Sequence, residues 1–507
     1  MQTSRFFHGT ADAGSVLTSD ATRMTRRYGA GEGPFAMTSA TSTVSIDCGA
    51  AAAAALRPSF AGTLILPGDA GYDDARRVWN GMIDRYPALI ARCATTGDVR
   101  AAVRCARDQG LPLAVRGGGH NAAGFATCDD GLVVDLSAMR RVDVDATRRR
   151  AVVEGGATWA DVDRATQAYG LATPGGAVSD TGVGGLTLGG GLGNLRRRCG
   201  LSCDNLLEAE VVTADGSVVR ANEREHADLS WALRGGGGNF GVVTKFTFQL
   251  HDVGPDVVLL GAFFDVADAP RIIDTWSKVM VAAPDEFSCN CFYWSVPAAP
   301  SMPEELHGQP VVALMGTWSG DVDEGLEFIA PFRALARPLV DMSGVHRYVD
   351  VQQMVDPFFP KQVLQYYWRS LNLGSLPQAA IRTLSVWAAR RPSPMTLIDL
   401  WAMGGAVSRV PAHATAFGDR SAPFVLVINT SWADPAHADD NIAWTRGLAQ
   451  AMEPYATGGA YLNFPGFDAD VLRAVRPSFG PNYRRLVEVK RAYDPDNVFN
   501  RNQNIVP

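Results

Sequence analysis

Two glycine-rich tracks constrain this chain more than any other feature. The first is Leu113-Ala-Val-Arg-Gly-Gly-Gly-His120-Asn-Ala-Ala-Gly124. A strand-like apolar run ends in Gly117, Gly118 and Gly119, so the backbone can take positive φ and turn its N–H groups toward a bound anion. A phosphate suits such a loop. Arg116 at its mouth would neutralise charge, and His120 supplies a nucleophilic nitrogen where a cofactor could be held. The second track is Thr181-Gly-Val-Gly184-Gly185-Leu-Thr-Leu-Gly189-Gly190-Gly191-Leu-Gly193, where backbone is again expected to lie against something flat or phosphorylated. Two such tracks imply one large cofactor.

At 507 residues the chain has room for roughly two or three domains. Its 47% hydrophobic and 20% charged residues are ordinary for a globular protein, and a net charge of −7 argues against nucleic acid or an anionic membrane as partner. A small-molecule substrate is expected, with the chain a monomer or homodimer. The eight cysteines are dispersed without a Cys-x-x-Cys, so no metal site is expected. Cys199 with Cys203, or Cys289 with Cys291, could form redox pairs, and buried structural thiols are the simpler reading. Residues 1–60 read as an N-terminal extension with little periodicity. Arg26-Arg27 lacks the apolar core of an export signal, which leaves a cytoplasmic, bacterial protein as the expectation.

Apolar residues from Tyr72 to Tyr86 fit a one-faced helix, Ala88–Cys93 a strand, and Thr96 caps a helix bearing Val99, Ala102, Val103 and Ala106. Gly131–Leu136 and Arg149–Glu154 read as strands, Thr158 as the cap of a helix through Tyr169, and Leu206–Arg220 as a hairpin turning at Asp215-Gly216. Gly236-Gly-Gly-Asn-Phe-Gly241 matches G-x-G-x-x-G formally. It lies between a helical pattern at Ala227–Leu233 and a strand at Val243–Leu250, whereas the dinucleotide fingerprint needs the strand first. Beyond Pro255 come separate apolar runs, Val258–Phe264, Cys289–Trp294, Val311–Trp318, Thr396–Met403 and Phe424–Trp432, which suggest an antiparallel sheet.

Arg116-Gly-Gly-Gly-His120, the Gly182–Gly193 track, Gly238-Asn-Phe-Gly241-Val-Val243-Thr and the ending Tyr493-Asp-Pro-Asp-Asn-Val-Phe-Asn500-Arg-Asn502-Gln-Asn504 together resemble the berberine bridge enzyme-like flavin oxidases. The resemblance implies an α+β fold: a two-part FAD-binding domain of the PCMH/vanillyl-alcohol-oxidase type at 61–254 and 461–507, with an inserted α+β substrate domain at 255–460 built on an antiparallel sheet. It implies FAD attached through His120, held also by Asn121, Gly124, Asp180, Gly184, Gly185, Gly189, Gly190, Gly191, Gly193, Gly241, Val243, Asn500 and Asn502. Val178 stands where many relatives carry a second linking cysteine, so a single attachment is expected. Thr181 occupies the position that governs oxygen access, which favours an oxidase over a dehydrogenase or oxidative cyclase. Tyr461 and Asn463 match the Tyr-x-Asn motif whose tyrosine takes the substrate proton. Val427 and Leu186 replace an acid or base and a histidine of relatives, which leaves a silent flavin-fold binding protein as the competing reading. Tyr366, Tyr367 and Arg369 match the pocket-lining stretch poorly.

Overall fold

The computed structural model describes residues 40–507 apart from 465 and 468. Contacts divide the chain into Met1–Val44 and Ser45–Pro507, and the sheets and site all belong to the second unit. A four-stranded sheet comes first, in the order Thr63–Ile65, Leu89–Arg92, Leu132–Asp135, Leu113–Arg116. Its last three strands are parallel, so the chain must cross over between them. The first crossover is the helix Thr96–Asp108, which buries Val99, Ala102, Val103 and Ala106. Its cap is Thr95 rather than the expected Thr96, because the capping box pairs a residue with one three positions on, and here that is Asp98. The His120 loop leaves the carboxyl end of Leu113–Arg116, where open parallel sheets place their ligands.

A five-stranded antiparallel sheet follows, in the order Val142–Asp145, Arg150–Glu154, Val242–Gln249, Leu206–Val212, Val218–Asn222. The expected hairpin at Asp215-Gly216 is present, with Gly216 at φ 76°. The third sheet has eight antiparallel strands drawn from residues 256–432. Both of its faces are covered. Phe424, Leu426 and Ile428 pack with residues of the helices Ala269–Ala282, Gln378–Ala388 and Ala438–Met452, while Val425 and Val427 face the glycine track through Leu192 and Tyr461. That double covering makes the strands read as continuous apolar runs instead of alternating ones. The mixed α+β architecture is as expected.

Three expectations need correcting. The helix at 72–86 spans only Tyr72–Arg76; Arg77 is already extended, and Val78 and Trp79 bury themselves from a loop. The strand Gln365–Leu373, rich in aromatics, had no counterpart in the expected set. The extension at 1–60 does not reach residue 60, since Ala52, Ala53 and Leu56 of the helix Ala40–Leu56 are buried against Val99 and Leu89; residues 1–39 lie outside the described part.

The two glycine tracks touch. A Cβ on Gly118 would stand 2.4 Å from the Gly182 nitrogen, and one on Gly182 would stand 2.3 Å from the Gly118 nitrogen. By contrast, a Cβ on Gly185 meets nothing within 4 Å. Gly118→Val is therefore expected to destabilise the flavin-free protein by at least about 1–3 kcal/mol, and Gly185→Val to leave the flavin-free melting temperature unchanged while impairing flavin loading. Equal melting curves for wild type and Gly118→Val would contradict the contact.

Candidate active site

Among the described residues, one nitrogen of His120 is engaged. Nε2 lies 2.6 Å from Asp180 Oδ1, and the other carboxylate oxygen lies 3.1 Å from Lys361 Nζ. Nδ1 has no hydrogen-bond partner among the described residues. The ring stacks on Trp79 at 4.5 Å, and Trp79 stacks in turn on Tyr366 at 3.7 Å. Trp79 is held by its own backbone, with N donating to Gly119 O at 3.0 Å and O accepting from Gln362 N at 2.8 Å. Asn80 completes the lacing, donating to Ala122 O and Tyr366 O and accepting from Tyr366 N. Burial lowers the His120 pKa, more than the Asp180 carboxylate raises it, so the ring is neutral near pH 7. Burial acts to raise Asp180, but the hydrogen bond from His120 and the hydrogen bond and charge of the nearby Lys361 hold it below the ordinary carboxylate range. Trp79 and Lys361 were not legible as site residues, since neither lies in a motif.

Arg116 does not face a phosphate. Its guanidinium donates to Asp135 Oδ2 at 2.7 Å and to the Ala75 carbonyl, and Arg92 reaches the same Asp135 from the strand on the other side. The three residues share one row of the sheet. Asp135 is fully buried; burial alone would raise its pKa, yet Arg116 holds it below the usual range. A side chain so committed sets the strand end instead of binding pyrophosphate. Most of the second track is likewise glycine because protein approaches it. Cβ atoms on Gly189, Gly190, Gly191 and Gly193 would fall 2.0 Å from Asn463 Oδ1, 2.6 Å from the Phe417 ring, 2.2 Å from Ser202 Oγ and 2.0 Å from Gly175 O. Gly241 is pressed on the Val212 carbonyl in the same way, Val243 packs in the core with Phe246, and Asn500 is exposed. Gly124 approaches the Ile83 side chain, and Asn121 Oδ1 accepts weakly from Phe125 N at 3.4 Å.

What remains fits a large cofactor. Gly185 and Gly238 face open space, and Asn502, whose Nδ2 donates to Gly238 O at 3.0 Å, has a buried Oδ1 without a partner among the described residues, as has Asn504. A Cβ on Gly184 would make ordinary contact with the Gly155 carbonyl oxygen at 3.4 Å and the Phe246 ring at 3.5 Å. Together with the free Nδ1 of His120 these are atoms that a flavin dinucleotide would satisfy. The C-terminal segment is anchored to the same place: buried Lys490 donates to Asn239 O at 2.8 Å and to Asp494 at 2.6 Å, and Ile505 N donates to Asn239 Oδ1 at 2.9 Å. Leu186 spans the track, within 3.0 Å of the positions that Cβ atoms on Gly176 and Gly191 would take, and Thr181 lies at the mouth of the loop with its carbonyl accepting from Trp159 N.

Tyr461 and Asn463 come together, though in a turn and not in an extended strand. Asn463 Nδ2 donates to Tyr461 Oη at 2.7 Å, and the N–H groups of Gly191 and Leu192 donate to it at 3.1 and 3.2 Å. Burial raises the tyrosine to about 12 despite these three donors. Tyr366 faces Trp79 on the inner side of its strand, whereas Tyr367 and Arg369 point to the other side, onto Asp470 at 2.5 and 3.6 Å. The period-2 alternation of a strand forbids all three from lining one pocket.

Sequence reasoning also missed Asp399. It sits on Leu397–Ala402 directly across from Val427, on the face toward Tyr461, so the carboxyl absent at 427 is supplied by the neighbouring strand. Its Oδ2 accepts from Trp401 Nε1 at 2.5 Å and Asn290 Nδ2 at 3.4 Å, and Oδ1 has no partner among the described residues. Burial pushes its pKa up to about 7. The signal was present: one carboxylate in the otherwise apolar run Leu-Ile-Asp-Leu-Trp-Ala. Arg196 lies nearby with its cation 4.9 Å from the Trp401 ring, and its N–H groups reach Gly193 O, Ala402 O and Cys289 O, tying the track to two strands of the large sheet. Because folding raises the Asp399 pKa, the native state binds more protons than the unfolded one between about pH 4 and 7, and stability falls as pH rises through that window. Asp399→Asn should therefore gain melting temperature over wild type as pH goes from 4 to 8. A difference constant across that range would place the ionisation elsewhere.

A family model described as FAD binding domain matches residues 87–222, and one described as berberine and berberine-like matches 460–506. An uncharacterised FAD-linked oxidoreductase of Bacillus subtilis, YgaK, is 30% identical over 89% of this chain and 98% of its own length. The (R)-6-hydroxynicotine oxidase of Paenarthrobacter nicotinovorans is 32% identical over 89% of this chain and 97% of its own. The crystal structure of 6-hydroxy-D-nicotine oxidase from Arthrobacter nicotinovorans superposes with a TM-score of 0.78 at 29% identity, covering 89% of this chain and 98% of that one. Glycine tracks and near full-length similarity converge: the chain belongs to the berberine bridge enzyme-like family of FAD-linked oxidoreductases.

Proposed function

We propose that the protein is an oxidase carrying FAD on His120 as its single covalent link. The bound flavin would take hydride at N5 from a C–OH or C–NH carbon of a small organic substrate and yield the electrons to dioxygen, giving hydrogen peroxide. The observation that carries this reading is the pairing of a neutral His120, open at Nδ1 beside the glycine loop, with the inward-facing Asp399 across from Val427. Val178 supports the single link, and the oxidase named among the similar proteins supports the reaction class.

The chain's own residues then divide the proton work. Tyr461, its oxygen gripped by three N–H groups, meets the O–H or N–H of the substrate, the three donors offsetting part of the burial that disfavours its phenolate. Asp399, poised near neutrality, accepts the proton. Its presence also removes the argument for a silent binding protein that rested on Val427. Thr181 is small enough to leave a path for oxygen beside the loop.

Two measurements test this. Photoreduced holoprotein should reoxidise rapidly on mixing with air, and Thr181→Leu should slow it; slow reoxidation of the unaltered enzyme would favour a dehydrogenase. Tyr461→Phe and Asp399→Asn should each keep their flavin yet slow its anaerobic reduction by substrate by roughly 10²–10⁴. In Asp399→Asn the rising limb of the rate near pH 7 should vanish. Wild-type reduction rates in both variants would assign these residues to packing.

A further inference from the structure

His120 is not a free loop histidine but the first member of a chain of three side chains, His120, Asp180 and Lys361, and the third comes from a distant part of the sequence. Asp180 belongs to the loop ahead of the second glycine track. Lys361 lies just before the strand Gln365–Leu373, in the segment whose Gln362 and Leu364 are hydrogen bonded to Trp79 and Gly81. Asp356, upstream in that segment, accepts from Ser179 N at 2.8 Å and from Ser179 Oγ at 2.5 Å, so the loop bearing Asp180 is held at two successive residues.

A carboxylate only accepts. Asp180 at 2.6 Å from Nε2 therefore requires the proton of a neutral ring to sit on Nε2, which leaves the lone pair on Nδ1. The stack on Trp79, 21° from parallel, fixes the plane in which that lone pair points. Bond formation at Nδ1 turns the ring into an imidazolium, and the positive charge appears on the N–H already facing Asp180. The same logic gives the buried aspartate of a serine-hydrolase triad its effect: it fixes the tautomer and stabilises the cation that forms.

We propose that Asp180 is a positioning residue for flavin attachment, holding His120 with Nδ1 as the nucleophile, and that Lys361 fixes Asp180 in turn, so that attachment requires the 356–362 segment to be seated on the loop. The inference rests on the reading that His120 is the attachment point. In the step, a C–N bond forms between Nδ1 and the 8α carbon, one methyl C–H is lost as a proton, and the electron pair remains on the isoalloxazine until dioxygen removes it as hydrogen peroxide. The imidazolium then releases its Nε2 proton through Asp180. Lys361 contributes a cation that keeps the Asp180 carboxylate ionised and aimed.

The test follows covalent loading of flavin-free protein with FAD in air, read as flavin fluorescence retained after acid precipitation. Free FAD affinity is measured in parallel. Asp180→Ala should bind FAD but load it at least about 10² more slowly. Asp180→Asn, isosteric and still able to accept from Nε2–H, should load at an intermediate rate, and Lys361→Gln should lose less than Asp180→Ala. A readout independent of flavin is the ¹⁵N spectrum of histidine-labelled flavin-free protein, with His120→Gln identifying the signal. Wild type should show the Nε2–H tautomer, and Asp180→Ala a mixture. Asp180→Ala loading at the wild-type rate, or an unchanged tautomer, would overturn the role of Asp180 while leaving the attachment intact. Wild-type protein that loses all its flavin to acid would overturn the attachment itself and the inference with it.

Discussion

The site depends on a contact that involves no side chain. Gly118 and Gly182 lie back to back, so close that a methyl group on either would overlap the other's backbone. That approach brings the loop after the parallel sheet against the track that begins the next helix, Val183–Leu188, and sets Asp180 beside His120. Much of the glycine content follows from the same requirement. Gly189 yields to Asn463, Gly191 to Ser202 and Gly193 to Gly175, whereas Gly185 of the second track and Gly238 face open space. Glycine here is first the condition for assembling the walls and only at a few positions the condition for admitting a cofactor.

Buried charge does the remaining placement. Asp135 between Arg92 and Arg116 ends three parallel strands in register, and losing Arg116 would leave this fully buried carboxylate with the more exposed Arg92 as its cationic partner, which destabilises the core. Arg196 ties the far end of the track to the large sheet through the Ala402 and Cys289 carbonyls, and Arg197 donates to Ala283 O at the end of the helix Ala269–Ala282 at 2.6 Å. Arg196 thereby stands near Asp399 without a direct pair, and the carboxyl keeps one oxygen free. The aromatic stack of His120, Trp79 and Tyr366 joins the same two regions on the opposite flank.

The sequence was informative where local chemistry decides. The capping boxes, the Asp215-Gly216 turn and the apolar runs of the large sheet are set by neighbours in the chain, and their positions were legible to within a residue or two. What escaped was decided by partners far away. Val78 and Trp79 keep a helical spacing, but Gly119, Phe359 and Gln362 draw them into a loop. Arg116 looks like a phosphate ligand until Asp135 appears beside it, and Asp399 looks like an interruption until the register sets it across from Val427. Lys361 carries no motif at all; its place in the site comes entirely from the strand that follows it.

The central claim is that His120 is where this protein holds its flavin. Trypsin cuts after Arg116 and Arg140, so the claim can be read from one peptide, Gly117–Arg140. Mass spectrometry of denatured, digested holoprotein should find the flavin on that peptide alone, with fragment ions placing it on His120 and not on Cys128. Flavin on a peptide bearing Cys199 and Cys203, or flavin wholly released by denaturation, would contradict the account.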